Sequence, residues 1–388
     1  MEQISFVINT AINELEHIKL LLNSLKLNLD GDQHEILVFV ENDNQGTYKY
    51  LKSIKNDFFD LKIITHKLPP CVGYARNNNL LVKLAKYNIV SYLQSDMVIS
   101  PHYDTDILNQ IEPNTILSAT RVEPPLHGSS NKTITKDFGL HPKNFNLKEW
   151  NKYSLTIKEN RDINYFFAPI TFYKDTWLSI GGYDTLFRRS REDSDLVQRC
   201  LHADIKLKQT FNAVVYHFTC TSSRGADWFN KQNVKAQNRA KLQQYADQIE
   251  LKRFIRKWGN FNHGEFKLVK YDIDLIIKNS NKLPISFLLG IEPLFSHIWI
   301  DDNIVKENIL DKLSNEHQYA NELLNFTNEQ WQETSKYHNL DNPIYKILLT
   351  LFEGYYMYGC KKKGNKNTRM LYPKKKKKKD GESKDFNK

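Results

Sequence analysis

Short apolar and β-branched runs alternate with helical spacings through the first hundred residues, the pattern of a parallel sheet joined by crossover helices. Ile4 to Asn9 predicts a strand, and Leu15, Ile18, Leu21, Leu22 and Leu25 recur at the spacing of one helix face. Ile36 to Val40 predicts a second strand ending in Glu-Asn-Asp, and Leu61 to Thr65 a third. Asn77 to Lys86 reads as a helix, and Ile89 to Leu93 as a fourth strand running into Gln94-Ser95-Asp96-Met97. Ligands of open α/β sheets bind beyond the carboxyl ends of the strands, and Asp43 and Asp96 fall at two such ends.

Thr115 to Ala119 predicts a further strand, followed by a long polar connection, Pro124 to Asn146, read as a functional or a mobile loop. Phe166 to Tyr173 is apolar enough for a buried strand, and Ala213 to Tyr216 predicts the last strand, leading into His217. Helical spacing then runs through Lys241, Leu242, Tyr245 and Ile249 to about Trp258. Glu265 to Leu340 reads as a second unit, with strand-like runs at Phe266 to Ile277 and Ile291 to Ile300 and a helical stretch to Trp331. No internal repeat is visible. The expected organisation is a domain over 1–260, a smaller α+β unit over 261–360 and a tail over 361–388.

Length and charge refine this picture. A chain of 388 residues has room for two folded units at about 150 residues per domain. The formal charge of +10 belongs to the tail: Lys361 to Lys388 carry 13 Lys/Arg against 3 Asp/Glu, and residues 1–360 hold 42 of each sign. Lys374 to Lys379 have no apolar periodicity and predict disorder. A polybasic run of this kind can contact anionic lipid or nucleic acid, and lipid ranks first here. Four separated cysteines, Cys71, Cys200, Cys220 and Cys360, form no Cys-x-x-Cys pair and read as reduced thiols of a cytoplasmic protein. The first residues enter a strand at once, with no secretory pattern, and Pro284 to Ile300 is too interrupted to span a bilayer. The expected location is cytoplasmic, with peripheral contact at a membrane surface through the lysine tail.

The candidate chemistry is acidic and sits at strand ends. Asp96 suits a hard divalent cation that keeps substrate phosphates in its shell, and it equally suits a turn. Asp43 can accept from a base or ribose, or initiate its own turn. Ser190-Arg191-Glu192-Asp193 fits a helix start with Ser190 as N-cap, and Leu196, Val197, Cys200 and Leu201 give that helix an apolar face. The same helix terminus would keep a carboxylate ionised and able to act as a general base. His217 is either a satisfied core residue or a metal donor beside carboxylate. Arg76, Arg188, Arg189, Arg191 and Arg224 are candidate partners of a diphosphate.

The order of these features is more specific than any one of them. Strand-Asp43, Gly73-Tyr-Ala-Arg76-Asn77, strand-Gln94-Ser-Asp96, Gly181-Gly182-Tyr-Asp184, Glu192-Asp193 and strand-His217 follow one another. In that order the chain resembles the family 2 glycosyltransferases of the GT-A fold over roughly residues 1–260. The resemblance implies a Rossmann-like, mostly parallel α/β sheet flanked by helices. It places Asp43 at the nucleotide base, Ala75, Arg76 and Asn77 near the nucleotide, and Gln94, Ser95 and Asp96 at the D-x-D motif. Gln94 stands where the family has an acid directed towards the ribose, while Asp96 keeps the position of the direct metal ligand. His217 maps to a third metal ligand of some members, and Asp193 to the base.

The resemblance therefore implies inverting transfer of a hexosyl or N-acetylhexosaminyl group from a nucleotide-diphosphate sugar. UDP-sugar is the favoured donor and GDP-sugar the second, with Mn²⁺ or Mg²⁺ as cofactor. The expected acceptor is a hydroxyl of a glycan, glycolipid or glycoprotein, as in polysaccharide or glycan biosynthesis. Arg76 and Arg224 are secondary phosphate candidates, and Pro124 to Asn146 and Arg188 to Arg191 are candidate lids. A sugar nucleotidyltransferase ranks lower, because Asn9 to Glu16 contains neither glycine nor lysine. A non-catalytic binding module with a membrane or nucleic-acid tail is the remaining alternative, with nucleic acid the less expected partner.

Overall fold

The computed structural model describes residues 2–219 other than 11–13, 42, 44, 59, 66–72, 127–129 and 188–189, then residues 247–259 and short pieces between 267 and 339. Cys71, Cys220, Cys360, Arg188, Arg189, Arg224 and the lysine tail lie outside the described residues. The chain divides into two compact units, Met1–Val269 with Ala320–Asn328, and Lys270–Tyr319 with Glu329–Lys388.

The first unit is built on parallel strands. β1 (Ile4–Thr10) is followed by α1 (Leu15–Asn28), whose Ile18, Leu21, Leu22 and Leu25 are all within 1% of full burial. Burying each such side chain contributes about 1.5–3 kcal/mol, which fixes the helix on the sheet. β2 (Glu35–Val40), α2 (Thr47–Ser53) and β3 (Asp60–Thr65) follow, then α3 (Tyr74–Leu84) and β4 (Ile89–Gln94). Helix α3 starts three residues before the apolar spacing suggested. Gly73, at φ 90°, turns the chain into it, and Tyr74 then packs edge-on against Tyr92.

β5 (Met97–Ile99), α4 (Tyr103–Leu108), β6 (Thr115–Glu123), β7 (Thr133–Thr135) and α5 (Leu147–Thr156) come next. They are followed by β8 (Asp162–Ile163), β9 (Ile170–Tyr173), α6 (Lys174–Ser179), α7 (Glu192–His202) and β10 (Lys206–His217). The main path of the sheet runs β3-β2-β1-β4-β9-β6-β10-β5. Strands β1 to β4 pair in parallel, as do β6 and β10, while β9 and β5 run antiparallel to their neighbours. This is the mostly parallel, helix-flanked α/β sheet that the sequence pattern predicts.

Two features aim the sheet at its site. β10 pairs with β6 up to Thr210 opposite Ala119 and resumes at Val214 opposite Thr120, so three extra residues bulge from β10. Beyond the bulge Val215 lies opposite Arg121 and Tyr216 opposite Val122, which carries His217 to the level of Glu123. Successive strand residues face opposite sides, so Tyr216 points away from His217, into a second core with Val98, Val122, Phe138, Trp150, Val214 and Phe218. That core corrects the expectation of one long polar loop from Pro124 to Asn146. β7 pairs with β6, Tyr216 Oη donates to the Gly139 carbonyl at 2.7 Å, and Phe138 is buried edge-on against Trp150. Aromatic burial holds residues 133–146 to the body, so the described part of this segment is no free lid.

The second unit contains a parallel three-stranded sheet of β11 (Asp274–Ile277), β12 (His297–Ile300) and β13 (Tyr337–Asn339), with Leu275, Ile298 and Trp299 buried. Each strand occupies only the end of the apolar run that predicted it or falls beyond those runs. Among the described residues no helix is long and apolar enough to cross a membrane.

Candidate functional site

Asp96 leaves β4 and enters β5, and the pairing of Met97 with His217 brings the two sequence candidates together. His217 Nε2 stands 3.7 Å from Asp96 Oδ1, with both residues buried. The other ring nitrogen, Nδ1, is 2.7 Å from Glu123 Oε1. A carboxylate on Nδ1 fixes the ring and leaves Nε2 facing Asp96, which is how metal-binding imidazoles are oriented. The spacing is under twice the metal–donor distance of roughly 2.1 Å, so one cation can take both donors. Among the described residues no three His, Cys, Asp or Glu side chains converge as a metal cage. A hard cation held by one or two protein ligands completes its shell with water and phosphate oxygens.

The rest of the D-x-D segment is engaged locally. Ser95 Oγ donates to Glu14 Oε2, and Gln94 Oε1 accepts from Arg121 Nη2 at 3.2 Å. Nearby on α1, His17 is buried edge-on against Phe218, and neither ring nitrogen has a hydrogen-bond partner. Burial lowers its imidazole from the usual histidine range, against the opposing pull of the Asp96 carboxylate.

Asp43 is exposed, and its carboxylate caps α2. Oδ1 accepts from the backbone N–H groups of Gln45, Gly46 and Thr47 and Oδ2 from that of Tyr48. Desolvation pushes against ionisation, but these backbone donors, Tyr48 first, outweigh it and hold the carboxyl below its usual range. The turn-forming use of Asp43 is thus the one present, and a contact with a base would have to be made beside it. Arg76 is exposed on the first turn of α3, while Asn77 and Asn78 are buried with no partner for any side-chain amide atom. Asn9 Oδ1, at the end of β1, and Glu41 Oε1, just past β2, are also buried without partners. Buried polar atoms in this state call for a ligand or water, and these four residues gather where ligands of such sheets bind.

Gly181 and Gly182 turn the chain at φ 77° and 68° before Tyr183. A Cβ on Gly182 would meet Asn79 Oδ1 at 2.4 Å and Trp177 Nε1 at 2.5 Å, so glycine is required there. Asn79 clasps the turn to α3, donating to the Tyr183 carbonyl at 2.7 Å and accepting from the Tyr183 N–H at 2.8 Å. Tyr183 Oη then donates to Asp193 Oδ1 at 3.0 Å. Tyr74 and Tyr92 share a hydroxyl–hydroxyl contact beside it, and the Tyr92 hydroxyl feels both the Asp193 and the Asp96 charge. The base candidate and the metal candidate therefore both act on Tyr92, within one cluster of tyrosines.

The expected Ser190 cap is not made. Helix α7 starts from Arg191 in the left-handed region at φ 68°, with no side-chain cap, and Ser190 Oγ has no partner. Helix 247–258 holds the chain just before that terminus, where Glu250 Oε2 accepts from the Ser190 N–H at 2.6 Å. Asp195 ties the same two helices together. Fully buried, it lies 2.8 Å from Arg199 Nε, 2.7 Å from Lys257 Nζ and 2.9 Å from Trp258 Nε1. Asp184 adds a second contact to Lys257 at 2.6 Å.

Glu192 and Asp193 share this confined space unequally. Burial, then the charges of Asp193 and Glu250, push the Glu192 carboxyl well above the usual range. Burial also raises Asp193, but the Arg121 charge and the Tyr183 hydroxyl oppose it. Of the coupled pair, Glu192 takes the first proton and Asp193 keeps the negative charge. Sequence reasoning missed Arg121, Glu123, Tyr183 and Asn79, whose roles depend on cross-sheet register and turn geometry.

Residues 6–172 match the family described as glycosyl transferase family 2, a span that includes Asp43, Arg76, Asn77, Gln94, Ser95 and Asp96 and ends before Asp193 and His217. No curated protein matches the chain. Among solved structures, GalNAc-T7 with UDP, GalNAc and Mn²⁺ is similar at 11% identity and a TM-score of 0.42, over 56% of this chain and 44% of that one. TarS 1-349 of S. aureus in complex with UDP is similar at 13% identity and a TM-score of 0.43, over 83% of this chain and 88% of that one. The mannosyltransferase PcManGT from Pyrobaculum calidifontis, in complex with GDP-Man and Mn²⁺, shows 14% identity and a TM-score of 0.43, over 65% and 64%. The chain spans less than half the length of GalNAc-T7. The matched segment carries the D-x-D region on a mostly parallel α/β sheet of GT-A type, and over residues 6–172 the chain is similar to glycosyl transferase family 2.

Proposed function

We propose that the protein transfers a sugar from a nucleoside-diphospho-sugar to an acceptor hydroxyl with inversion at the anomeric carbon. The observation that carries this reading is the pairing, around one cluster of tyrosines, of a carboxylate–imidazole donor set, Asp96 and His217 at 3.7 Å, with a second carboxylate, Asp193, held by Tyr183 at 3.0 Å. The first pair suits a cation beside a leaving diphosphate and the second a general base. Those are the two demands of displacing a diphosphate by an alcohol.

Asp193 accepts the proton of the acceptor O–H as that oxygen forms its bond to the anomeric carbon. The anomeric carbon–phosphate oxygen bond breaks, and its electron pair leaves with the nucleoside diphosphate. Asp96 and His217 would hold the divalent cation, which supplies Lewis-acid stabilisation of the developing charge on the diphosphate when bound. Asn77, with Asn78, Asn9 and Glu41, offers unpaired hydrogen-bonding atoms to the nucleoside, and Arg76 and Arg224 are the phosphate partners in this reading. Ser95 and Gln94 line the ribose side, and Asp43 the base side. The favoured donor is a UDP-hexose or UDP-N-acetylhexosamine, with a GDP-sugar second, and the acceptor is a glycan, glycolipid or glycoprotein hydroxyl. Residues 261–360 serve as an accessory unit. The lysines of 361–388 would add peripheral attraction to anionic lipid at about 1 kcal/mol each near the surface.

A panel of UDP-, GDP-, CDP- and dTDP-sugars, with and without Mn²⁺, tests the donor class. A ligand at 100 times its dissociation constant adds about 2.7 kcal/mol, a shift of a few degrees in melting temperature for a chain of this size. The expected result is metal-dependent stabilisation and slow hydrolysis confined to one nucleotide, UDP-sugars first. Absence of both with every donor would sink the reading.

A further inference from the structure

Gln94 ends β4 directly opposite Asn9, near the end of β1, in the parallel register of the two strands. Residues paired in this way project from the same face of the sheet. Tyr92, two residues before Gln94, shares that face and meets the Tyr74 hydroxyl of α3 there. The side-chain amide of Gln94 has a fixed polarity. A guanidinium carries only donors, so the Gln94 atom 3.2 Å from Arg121 Nη2 is its oxygen, and its –NH₂ group is turned away. Arg121 is held in turn, 5% exposed, with Nε donating to the Ala168 carbonyl and Nη1 3.6 Å from Glu123 Oε1. Its guanidinium carbon sits 4.0 Å from the centre of the Phe167 ring. The Gln94 amide nitrogen makes no hydrogen bond among the described residues, and Asn9 Oδ1 is buried without a partner. Two neighbouring strands, about 4.8 Å apart, thus present an unused donor beside an unused acceptor. A carbonyl or phosphate oxygen would satisfy only the donor. A hydroxyl, which accepts one hydrogen bond and donates another, satisfies both.

We infer that Asn9 and Gln94 read one ribose hydroxyl of the nucleotide, Gln94 donating to its oxygen and Asn9 accepting its proton, with Arg121 as the positioning residue that sets the direction of the Gln94 bond. This inference rests on the nucleotide-sugar reading of the site. There the diphosphate lies on a cation at Asp96 and His217, and the transferred sugar faces Asp193. The group left for the ends of β1 and β4, beside the unpartnered amides of Asn77 and Asn78, is the nucleoside. An acid at position 94 could only accept from a ribose hydroxyl, and it would form an ion pair with Arg121. Glutamine reverses the direction of that bond, and the hydroxyl proton then needs the second acceptor that Asn9 supplies.

The test is titration calorimetry of the full chain with Mn²⁺ and UDP, 2′-deoxy-UDP or 3′-deoxy-UDP, and with GDP and its two deoxy counterparts. One deoxy analogue is expected to bind the wild type about 10- to 100-fold more weakly than its parent, the effect of leaving a buried donor and acceptor unpaired. Asn9→Ala removes the acceptor, and Gln94→Glu keeps the shape and the Arg121 contact while replacing the donor by an acceptor. Each should bring the ratio to within about 3-fold, because the hydroxyl then has one partner fewer to lose. Arg121→Lys keeps the charge and loses the planar fork, so it should lower the ratio while affinity for the deoxy analogue holds. A merely structural role would lower both affinities alike. A ratio in Gln94→Glu equal to or above that of the wild type overturns the inference, as does equal binding of a parent and both its deoxy analogues by the wild type. These two arms decide the matter if Asn9→Ala or Arg121→Lys does not fold. Should neither UDP nor GDP bind, the proposed function and the inference fall together; should a parent bind without preference over its analogues, the inference falls alone.

Discussion

Asp193→Asn is expected to lower the rate of sugar transfer by about 10²- to 10⁴-fold, the range that a positioned general base contributes. The substitution keeps an oxygen for the Tyr183 hydroxyl, which donates to Asp193 Oδ1 at 3.0 Å, so the turn and α7 should hold their places. Melting temperature and donor affinity should therefore stay close to wild type while kcat collapses. Glu192→Gln should cost much less, because the Glu192 carboxyl, pushed up by burial and by the Asp193 and Glu250 charges, is the member of the pair protonated first. The wild-type rate should rise with pH through the Asp193 titration. Burial raises that midpoint above the ordinary aspartate value, so activity is lost as pH falls through it. Wild-type turnover in a folded Asp193→Asn protein would remove the residue from the chemistry.

Asp96→Ala is expected to remove metal-dependent turnover, with a loss of more than about 100-fold. The comparison that gives this meaning is Glu123→Gln, which leaves both proposed metal donors in place and alters the partner on His217 Nδ1 together with the 3.6 Å ion pair to Arg121. Losing an outer partner of this kind costs about 10- to 100-fold in metal affinity or activity. The order Asp96→Ala worse than Glu123→Gln is thus predicted, and added Mn²⁺ should recover part of the second loss. Equal effects, or activity that persists in excess chelator, would contradict the assignment of Asp96 and His217. The Phe218 N–H to Asp96 carbonyl bond is backbone to backbone at 3.0 Å and survives the substitution, so a folding defect is not the expected cause of the loss.

The sheet was legible because buried parallel strands are written as continuous apolar runs. Ile4 to Asn9, Ile36 to Val40, Leu61 to Thr65 and Ile89 to Leu93 each lie within an observed strand. The short β5 and the helices α4 and α5 were not, since a three-residue strand or a helix of six to ten residues with a polar face gives too little periodicity. Strand β10 was read from Ala213 only. Its earlier half, Lys206 to Gln209, has Leu207 as its one apolar residue, too little to read as a strand, and the bulge between Thr210 and Val214 hides the register.

The site divides in the same way. Asp96, Asp193 and His217 could be ordered along the chain, because each follows a strand end or opens a helix. Glu123 and Arg121 could not, since their link to His217 and Gln94 is a matter of cross-strand register reset by the bulge. The Ser190 cap failed for a physical reason that no local motif contains. Glu250, sixty residues on, accepts the Ser190 N–H, and Arg191, in the left-handed region, stands at the N-cap in place of Ser190. Asp43 shows the opposite outcome, since of its two readings the local one, turn initiation, is the one its backbone contacts realise.

The proposed inverting chemistry at Asp193 makes a stereochemical demand that can be read directly. Donor turnover in the presence of Mn²⁺, with water as the acceptor, should be followed by proton NMR from the first minutes, before the free sugar mutarotates. An α-linked nucleotide sugar is expected to give the β anomer first, with the signal absent in Asp193→Asn. Release of the α anomer by the wild type, or unchanged release by Asp193→Asn, would contradict inversion at this carboxylate.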